Sequence, residues 1–464
     1  MSPAARPVPR LLPLAGPLFI ELLLGLGMGL VGTWLAARLG DAPGAAFALC
    51  SQVLATLFVV FRIVGAGISV VVSQALGAQR PDEADRIARA TLGASTWIGG
   101  LCAALTLGPT QTLLTLLNTP ADLLPLAVPL LRWMALAVLL DAWNTTLASV
   151  LRSHLQARPT MVVNGVIQGL HLLLALPLMS GVGGWAGLGL PGFALAMLLA
   201  RAVGLALFLQ AARSRVGLRP QAQDWWAWRQ TVLRPVLRVG LPGAAENIGW
   251  RLAFMASVAV TATLGTQALA TQAYALQISH LIFVFSVTLG LSGEILVGHL
   301  VGAGRLHQAH HLVRRLLSRG LMVTGAVSLA AALAGPALIG VFTRDSQIIA
   351  SGAALLWLTI ALETGRTFNL VLVNALRAAG DVNYPMLAGA ASFLLVMAGG
   401  SWLLGSVLGW GLTGVWLAYA ADEWLRGLIM WRRWAGLGWV PAARRMHRRL
   451  QRQQTGGAAP GATA

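Results

Sequence analysis

Gly16-Pro17-Leu18-Phe19-Ile20-Glu21 opens the first apolar stretch of the chain, and Leu241-Pro242-Gly243-Ala244-Ala245-Glu246 repeats its outline in the second half. In both places a proline precedes a glutamate by one helical turn. The shift that takes Pro17 to Pro242 and Glu21 to Glu246 also carries Gly40 onto Gly265, Gln52 onto Gln277 and Gly77-Ala78 onto Gly302-Ala303. It carries Arg80 onto Arg305, Asn144 onto Asn369 and Arg152 onto Arg377. One register held without a gap over that distance reads as two similar halves, an arrangement frequent among transporter folds.

The halves are built for lipid. The 464 residues are 57% hydrophobic and 10% charged. Apolar runs of the ~20 residues needed to cross a bilayer recur along the whole length. Twelve spans are expected, at 11–37, 45–77, 90–116, 123–151, 160–182, 187–212, 239–263, 268–301, 317–341, 348–376, 384–407 and 411–431. Breaks between them fall at turn or charge clusters such as Gln79–Arg89, Asn118–Asp122, Gly181–Gly184 and Arg377–Tyr384. Met1 to Arg10 are basic and lead into a span too long for a signal-peptide core, which we read as a retained helix.

The net charge of +18 comes from arginine alone, because the chain has no lysine. In a soluble protein such a charge would suggest nucleic acid. Here the arginines lie between apolar spans and fix an orientation. With twelve spans nearly all fall on one side, and Arg38 and Arg344 remain on the other. Both termini are therefore expected in the cytoplasm. Six spans per half leave the halves in the same orientation, with a central cleft expected between them. The division expected is an N-terminal six-helix lobe (1–212), a cytoplasmic amphipathic linker (213–238) marked by Trp225, Trp226 and Trp228, a C-terminal lobe (239–432), and a basic, then disordered tail (433–464). Cys50 and Cys102 give neither a disulfide framework nor a metal spacing.

Charge inside hydrocarbon is expensive and usually functional, so the acids in the spans are the candidates. Glu21 and Glu246 each sit beside a proline that frees a backbone carbonyl, and a carboxyl in such a place can exchange a proton, a sodium ion or a cationic substrate. The alternative is a structural acid paired with a buried arginine. Arg251 stands near enough to Glu246 to reach toward it. Glu363 and Arg366, at i and i+3, can pair on one helix face, with Asn369 continuing the stripe and Asn374 beyond it. That pair can equally be purely structural. Glu294 and Asp141 read as polar contacts between helices, and Arg62, Arg132 and Arg201 have no obvious partner in sequence. Gln52, Gln277, Trp34, Trp250, Phe254, Tyr274 and Phe283 lie on spans flanking the expected cleft, where aromatic faces could meet organic cations or simply pack. His299, His307, His310 and His311 cluster at a cytoplasmic turn without a convincing metal spacing, and a Walker lysine is impossible.

The stretch Gly240-Leu241-Pro242 through Glu246-Asn247, then Leu264-Gly265, Ala268 to Thr271, Val297-Gly298-His299 and Gly302-Ala303-Gly304-Arg305, resembles the multidrug and toxic compound extrusion (MATE) family. Leu376-Arg377, Gly380-Asp381 and Pro385 form a second point of likeness. The resemblance implies an all-α integral membrane antiporter of the bacterial inner membrane, with twelve helices in two pseudo-symmetric six-helix lobes. It implies export of amphipathic, often cationic compounds, driven by sodium or proton entry. Where many relatives carry an aspartate in the first helix this chain has Gly32; where the sodium-coupled branch has its seventh-helix glutamate it has Trp250; and His154 to Arg158 replace the N-half copy of the Gly-Asp turn.

The expectation is therefore a monomeric carrier without enzymatic activity, catalytic residues, metal, cofactor or nucleic-acid partner, coupled to Na+ or H+. Glu246, Glu21 and Glu363 are its ion-coupling candidates, and Gln52, Gln277, Trp34, Trp250, Arg366 and Asn369 its substrate-binding candidates. A lipid-linked precursor flippase or metabolite exporter of related architecture, a channel or sensor, and a two-half carrier of the major facilitator type are the alternatives.

Overall fold

The computed structural model describes residues 10–117, 119–181, 184 and 186–455, with the backbone alone at 58–60, 62–64 and 452–455. Met1 to Pro9, Asn118, most of the 182–185 break, the Arg62 side chain and the tail beyond Thr455 lie outside the described residues.

Helix dominates because an apolar chain in lipid must satisfy every backbone N–H and C=O internally. Twelve long helices follow one another. They are α1 (Leu12–Ala37), α2 (Asp41–Gly77), α3 (Pro81–Leu107), α4 (Leu124–Ser153), α5 (Ala157–Ser180), α6 (Leu190–Ala211), α7 (Gln230–Thr263), α8 (Thr266–Gly302), α9 (Leu306–Leu333), α10 (Ser346–Ala378), α11 (Asn383–Val407) and α12 (Gly411–Ala435). A further helix, α13 (Val440–Thr455), follows α12. Among the described residues, nine helices are long and apolar enough to cross a membrane by length and composition. The repeat extends to detail: α3 is followed by a short helix Thr110–Leu116 and α9 by Gly335–Gly340, and the two short helices start at positions related by the shift that joins Pro17 to Pro242.

The chain packs as two units, Leu12–Val72 with Pro81–Gly240, and Ser73–Arg80 with the chain from Leu241 onward. In the first, Phe47 meets Phe193 edge-on at 5.0 Å inside a core that includes Leu130, Leu131, Met134 and Met197. In the second, Trp416, Tyr419 and Phe393 form a core on which Trp250 and Phe254 pack.

Helices start earlier than hydropathy suggests. α3 begins nine residues before the expected span, α7 nine and α9 eleven. Their first turns are amphipathic: α9 buries Ala309, Leu312, Val313, Leu316 and Leu317 while Arg314, Arg315 and Arg319 point outward. Hydropathy marks where lipid begins, whereas the helix begins at the preceding turn. The expected linker is altered for the same reason. Its last residues are the first turns of α7, whose Leu233 packs on Ala90 and Ala94 of α3. Its middle is a tight turn, Ala222–Trp225, held on the first unit by Asp224, which is buried and bonded to Arg229 at 2.9 Å. Trp226 and Trp228 remain exposed, and the Trp226 carbonyl accepts from Trp97 Nε1 at 2.9 Å. The basic part of the expected tail contains helix α13, and the part expected to be disordered lies mostly outside the described residues.

Two turns show the repeat beneath sequence divergence. After α10, Gly380 adopts φ +84° and the Asp381 N–H closes onto the Leu376 carbonyl at 2.9 Å. After α4, where the Gly-Asp pair is missing, Leu155 adopts φ +61° and the Gln156 N–H closes onto the Leu151 carbonyl, also at 2.9 Å. The backbone turn survives with a residue ill suited to it. The second unit also contains a reciprocal crossing of the duplicated turns. A Cβ on Gly77 would lie 2.1 Å from the His299 carbonyl oxygen, and one on Gly302 would lie 2.0 Å from that of Gln74. Gln74 and His299 are themselves counterparts in the repeat. These glycines do more than stop helices: they let two backbones touch.

Candidate functional site: a chain of carboxylates and arginines

The two repeated glutamates find the two repeated arginines. Glu21 Oε1 of α1 accepts from Arg152 Nη1 at the end of α4, at 2.7 Å. Glu246 of α7 is bonded in the same way to Arg377 at the end of α10. All four residues obey the repeat, so the sequence contained the pairing, although Arg152 and Arg377 read there as interfacial anchors. Arg251 is not the partner of Glu246; among the described residues it makes no ion pair.

Among the described residues, the carboxylates inside the N-terminal unit's spans are paired one to one with arginines. Asp141 of α4 pairs with Arg201 of α6, whose backbone carbonyl also takes the Asn144 amide at 3.1 Å. With Glu21 and Arg152 this makes two carboxylates and two guanidiniums. Arg132 is exposed. Gly32 lies beneath Phe47 and Phe193, and a Cβ there would stand 2.9 Å from Phe47 Cζ. The first-helix aspartate expected from the family resemblance has no room in this packing.

In the C-terminal unit the pairing is not one to one. Glu363 and Arg366 of α10 pair at 2.6 Å, and Ser279 of α8 donates to the same Glu363 oxygen. Arg366 also reaches Glu423 of α12 at 3.3 Å, and Asn369 Nδ2 donates to the second Glu423 oxygen at 2.9 Å. Arg426 is buried between Asp422 at 2.6 Å and Glu423 at 3.0 Å, and Ser392 of α11 donates to Asp422 at 2.6 Å. Arg426 acts electrostatically on Glu246 as well, and Arg377 on Glu294. Among the described residues the lobe thus gathers five carboxylates (Glu294, Glu246, Asp422, Glu423 and Glu363) and three arginines (Arg377, Arg426 and Arg366), of which Glu363, Glu423 and Asp422 are joined directly through Arg366 and Arg426. Fully ionised, this group would carry two uncompensated negative charges in a low-dielectric interior, where that state is strongly disfavoured. A group of this kind has a use for protons or small cations.

Asp422, Glu423 and Arg426 escaped the sequence reading. Two signals could have revealed them. They form a charged cluster, Asp422-Glu423-Trp424-Leu425-Arg426, in an otherwise apolar span, and Arg426 is the counterpart of Arg201 in the repeat. The same register places Arg366 where the first half has Asp141, so equivalent positions carry opposite charge.

The remaining candidates are not gathered at this group. Trp250 stacks on Phe254 at 5.3 Å, and Tyr274 on Phe342 at 5.2 Å, which is packing. Phe283 faces a cation, but it is the protein's own Arg366, 5.1 Å from the ring centre; Arg426 lies likewise 4.6 Å from Phe393. Trp34 is exposed with Arg38 over its ring at 4.9 Å. Gln52 is exposed and Gln277 half-buried. In the histidine cluster, His307 and His311 approach at 3.0 Å, and His310 stacks on Trp434.

Comparison with known proteins identifies the family and the fold. The MatE family profile matches twice, at residues 17–176 and 242–402, so its two matches begin at Pro17 and Pro242, the prolines that open the repeat. The uncharacterized transporter YisQ of Bacillus subtilis is 30% identical over 92% of this chain and 94% of its own length. The probable multidrug resistance protein NorM of Rhodopseudomonas palustris is 26% identical, covering 90% of each chain. Among solved structures, the Vibrio cholerae MATE transporter VcmN in its bent form superposes with TM-score 0.82 at 18% identity, covering 94% of this chain and 97% of that one. A MOP superfamily transporter from Pyrococcus furiosus gives 0.79 at 19%, covering 94% and 95%. These superpositions establish the two-lobe helical fold.

Proposed function

We propose that this chain, which belongs to the MatE family, exports small organic molecules by exchanging them for a cation that enters through the acidic C-terminal lobe. The family makes it a multi-pass membrane transporter of the multidrug-efflux type and not an enzyme. The rest is our reading, and one observation carries it: the four ion-paired carboxylates and the unpartnered, buried Glu294 that share three arginines in the C-terminal lobe, set against the one-to-one pairs Glu21–Arg152 and Asp141–Arg201 of the N-terminal lobe.

An acid excess in hydrocarbon is relieved by binding H+ or Na+. In the proposal Glu246 is the exchanging group, because its side chain is the most exposed of the four ion-paired acids, at 11% against 7% for Glu423, 2% for Asp422 and 0% for Glu363, and because it has a single arginine bonded to it. Glu363, Arg366 and Asn369 fix the geometry around it. Amphipathic cations suit such a lobe better than phosphate-bearing lipids, which would require the opposite excess. A cation can drive export only if it binds one facing state better than the other. Breaking the Glu246–Arg377 pair between states would supply that difference. The arginine distribution favours a bacterial-type inner membrane with both termini in the cytoplasm.

The test is transport by purified protein in liposomes, with ethidium as the reporter and either a pH or a sodium gradient imposed. One gradient alone is expected to drive uptake in inverted geometry, and Glu246→Gln is expected to abolish the response while leaving the protein folded. Equal transport with neither gradient, or an unaltered response in Glu246→Gln, refutes the proposal.

A further inference from the structure

Glu294 has no role in the mechanism so far, and its surroundings are unusual. It lies on α8 in the interior of the C-terminal unit, 1% exposed, and neither carboxyl oxygen has a hydrogen-bond partner among the described residues. The cation acting on it is Arg377, whose guanidinium is bonded to Glu246. One residue along from Arg377, the Ala378 carbonyl accepts from Gln74 Nε2 at 2.7 Å, which leaves the buried Gln74 Oε1 without a donor. Gln74 Oε1 and both Glu294 oxygens are thus buried acceptors without donors among the described residues.

The neighbouring elements direct their polar groups elsewhere. α9 turns Leu316 toward α8, against Gly293, and keeps Arg314, Arg315 and Arg319 exposed. α13 meets the end of α8 through His447, whose Nδ1 lies 2.9 Å from the Gly302 carbonyl, eight residues beyond Glu294. Asn374 of α10 bonds its own helix at Leu370. The equivalent position in the first half is Ser69, so the acid belongs to one lobe only.

We propose that Glu294 is a second proton-carrying carboxyl, and that Arg377 passes between it and Glu246. The inference deepens the cation-coupled reading above and names the proton as the cargo at this site. In one state Glu246 is ionised and bonded to Arg377 while Glu294 holds the proton on its own oxygen and is neutral. In the other, Glu246 has taken up a proton, Arg377 turns to Glu294, and Glu294 releases its proton. Two carboxyls, one guanidinium and one proton are neutral in both states. The proton gained by Glu246 equals the one lost by Glu294, and no covalent bond other than O–H is made or broken. A neutral triad can switch inside lipid without the cost of a bare charge.

Infrared spectroscopy of the full-length protein in liposomes tests this without relying on transport. At neutral pH the parent is expected to show the carbonyl stretch of a protonated carboxylic acid that Glu294→Gln lacks. Glu246→Gln should lose the same band, because the freed Arg377 then pairs with Glu294. Glu294→Asp should restore a band at a shifted frequency. Should Glu294→Gln not accumulate, Glu246→Gln still decides the matter. An identical band in parent and Glu294→Gln, or an unchanged band in Glu246→Gln, overturns the inference. The parallel transport assay separates the two proposals. A proton-driven parent whose pH profile is the same in Glu294→Gln refutes the relay alone. A parent driven by sodium and indifferent to the proton gradient refutes the relay and leaves the cation-coupled reading standing; a parent indifferent to both gradients refutes that reading, while the band still reports on Glu294.

Discussion

At the scale of single residues, the cost of charge in an apolar interior decides what can change. Arg426 is the clearest case, since it is buried with two acids bonded to it and a third in its field. Replacing it by leucine should strand those acids and destabilise the protein by about 3–5 kcal/mol, seen as a lower unfolding temperature in detergent. Removing both members of an isolated pair should behave differently. Arg201→Leu alone should cost a similar amount, whereas Asp141→Leu with Arg201→Leu should recover most of it, because the pair is enclosed and nearly self-contained. Thermal unfolding of the two single variants and the double variant measures the difference. Sequence alone made Glu363 and Arg366 legible as a pair, because i, i+3 spacing is local. Asp141 with Arg201, and Glu246 with Arg377, required knowing which helices touch.

At the scale of the element, the repeat is conserved in backbone more than in sequence. Leu155 occupies a left-handed position that its counterpart fills with Gly380. An L-residue there costs roughly 1–2 kcal/mol. Leu155→Gly should therefore raise stability by about 1 kcal/mol, net of the extra freedom of glycine in the unfolded chain. The opposite is expected at the crossing of the duplicated turns. Gly302→Ala places a methyl group 2.0 Å from a backbone oxygen, so the helices must separate, and a lower yield of folded protein in the membrane is the outcome to measure. The helices themselves were legible, since lipid demands long apolar runs. Their starts were not, because amphipathic first turns outside the hydrocarbon look like loops to a hydropathy reading.

At the scale of the whole molecule, two halves of one ancestry have diverged in charge. Among the described residues, the first holds the pairs Glu21–Arg152 and Asp141–Arg201 in its spans, and the second gathers five acids with three arginines. If coupling follows the excess, neutralising the first-half pair (Glu21→Gln with Arg152→Gln) should leave the gradient dependence of transport intact even where the rate falls. Glu246→Gln should remove it. Flux against imposed pH and sodium gradients, measured for both variants, tests the asymmetry. The sequence showed the repeat and the family plainly; the imbalance between the halves became visible only once distant side chains were brought together.

Every cation in these buried pairs is a guanidinium, and a guanidinium does not surrender its hydrogen inside a protein. No lysine is available to become a neutral amine partway through a cycle. The arginines are thus permanent counterweights that can swing but cannot discharge. In these acid–arginine pairs, any hydrogen ion that moves must be recorded on carboxyl oxygen. A carboxyl-selective reagent such as a lipid-soluble carbodiimide, which modifies the acid in its protonated form, would therefore trap the carrier at one stage of its turnover, while amine-directed reagents would find nothing in the membrane to mark.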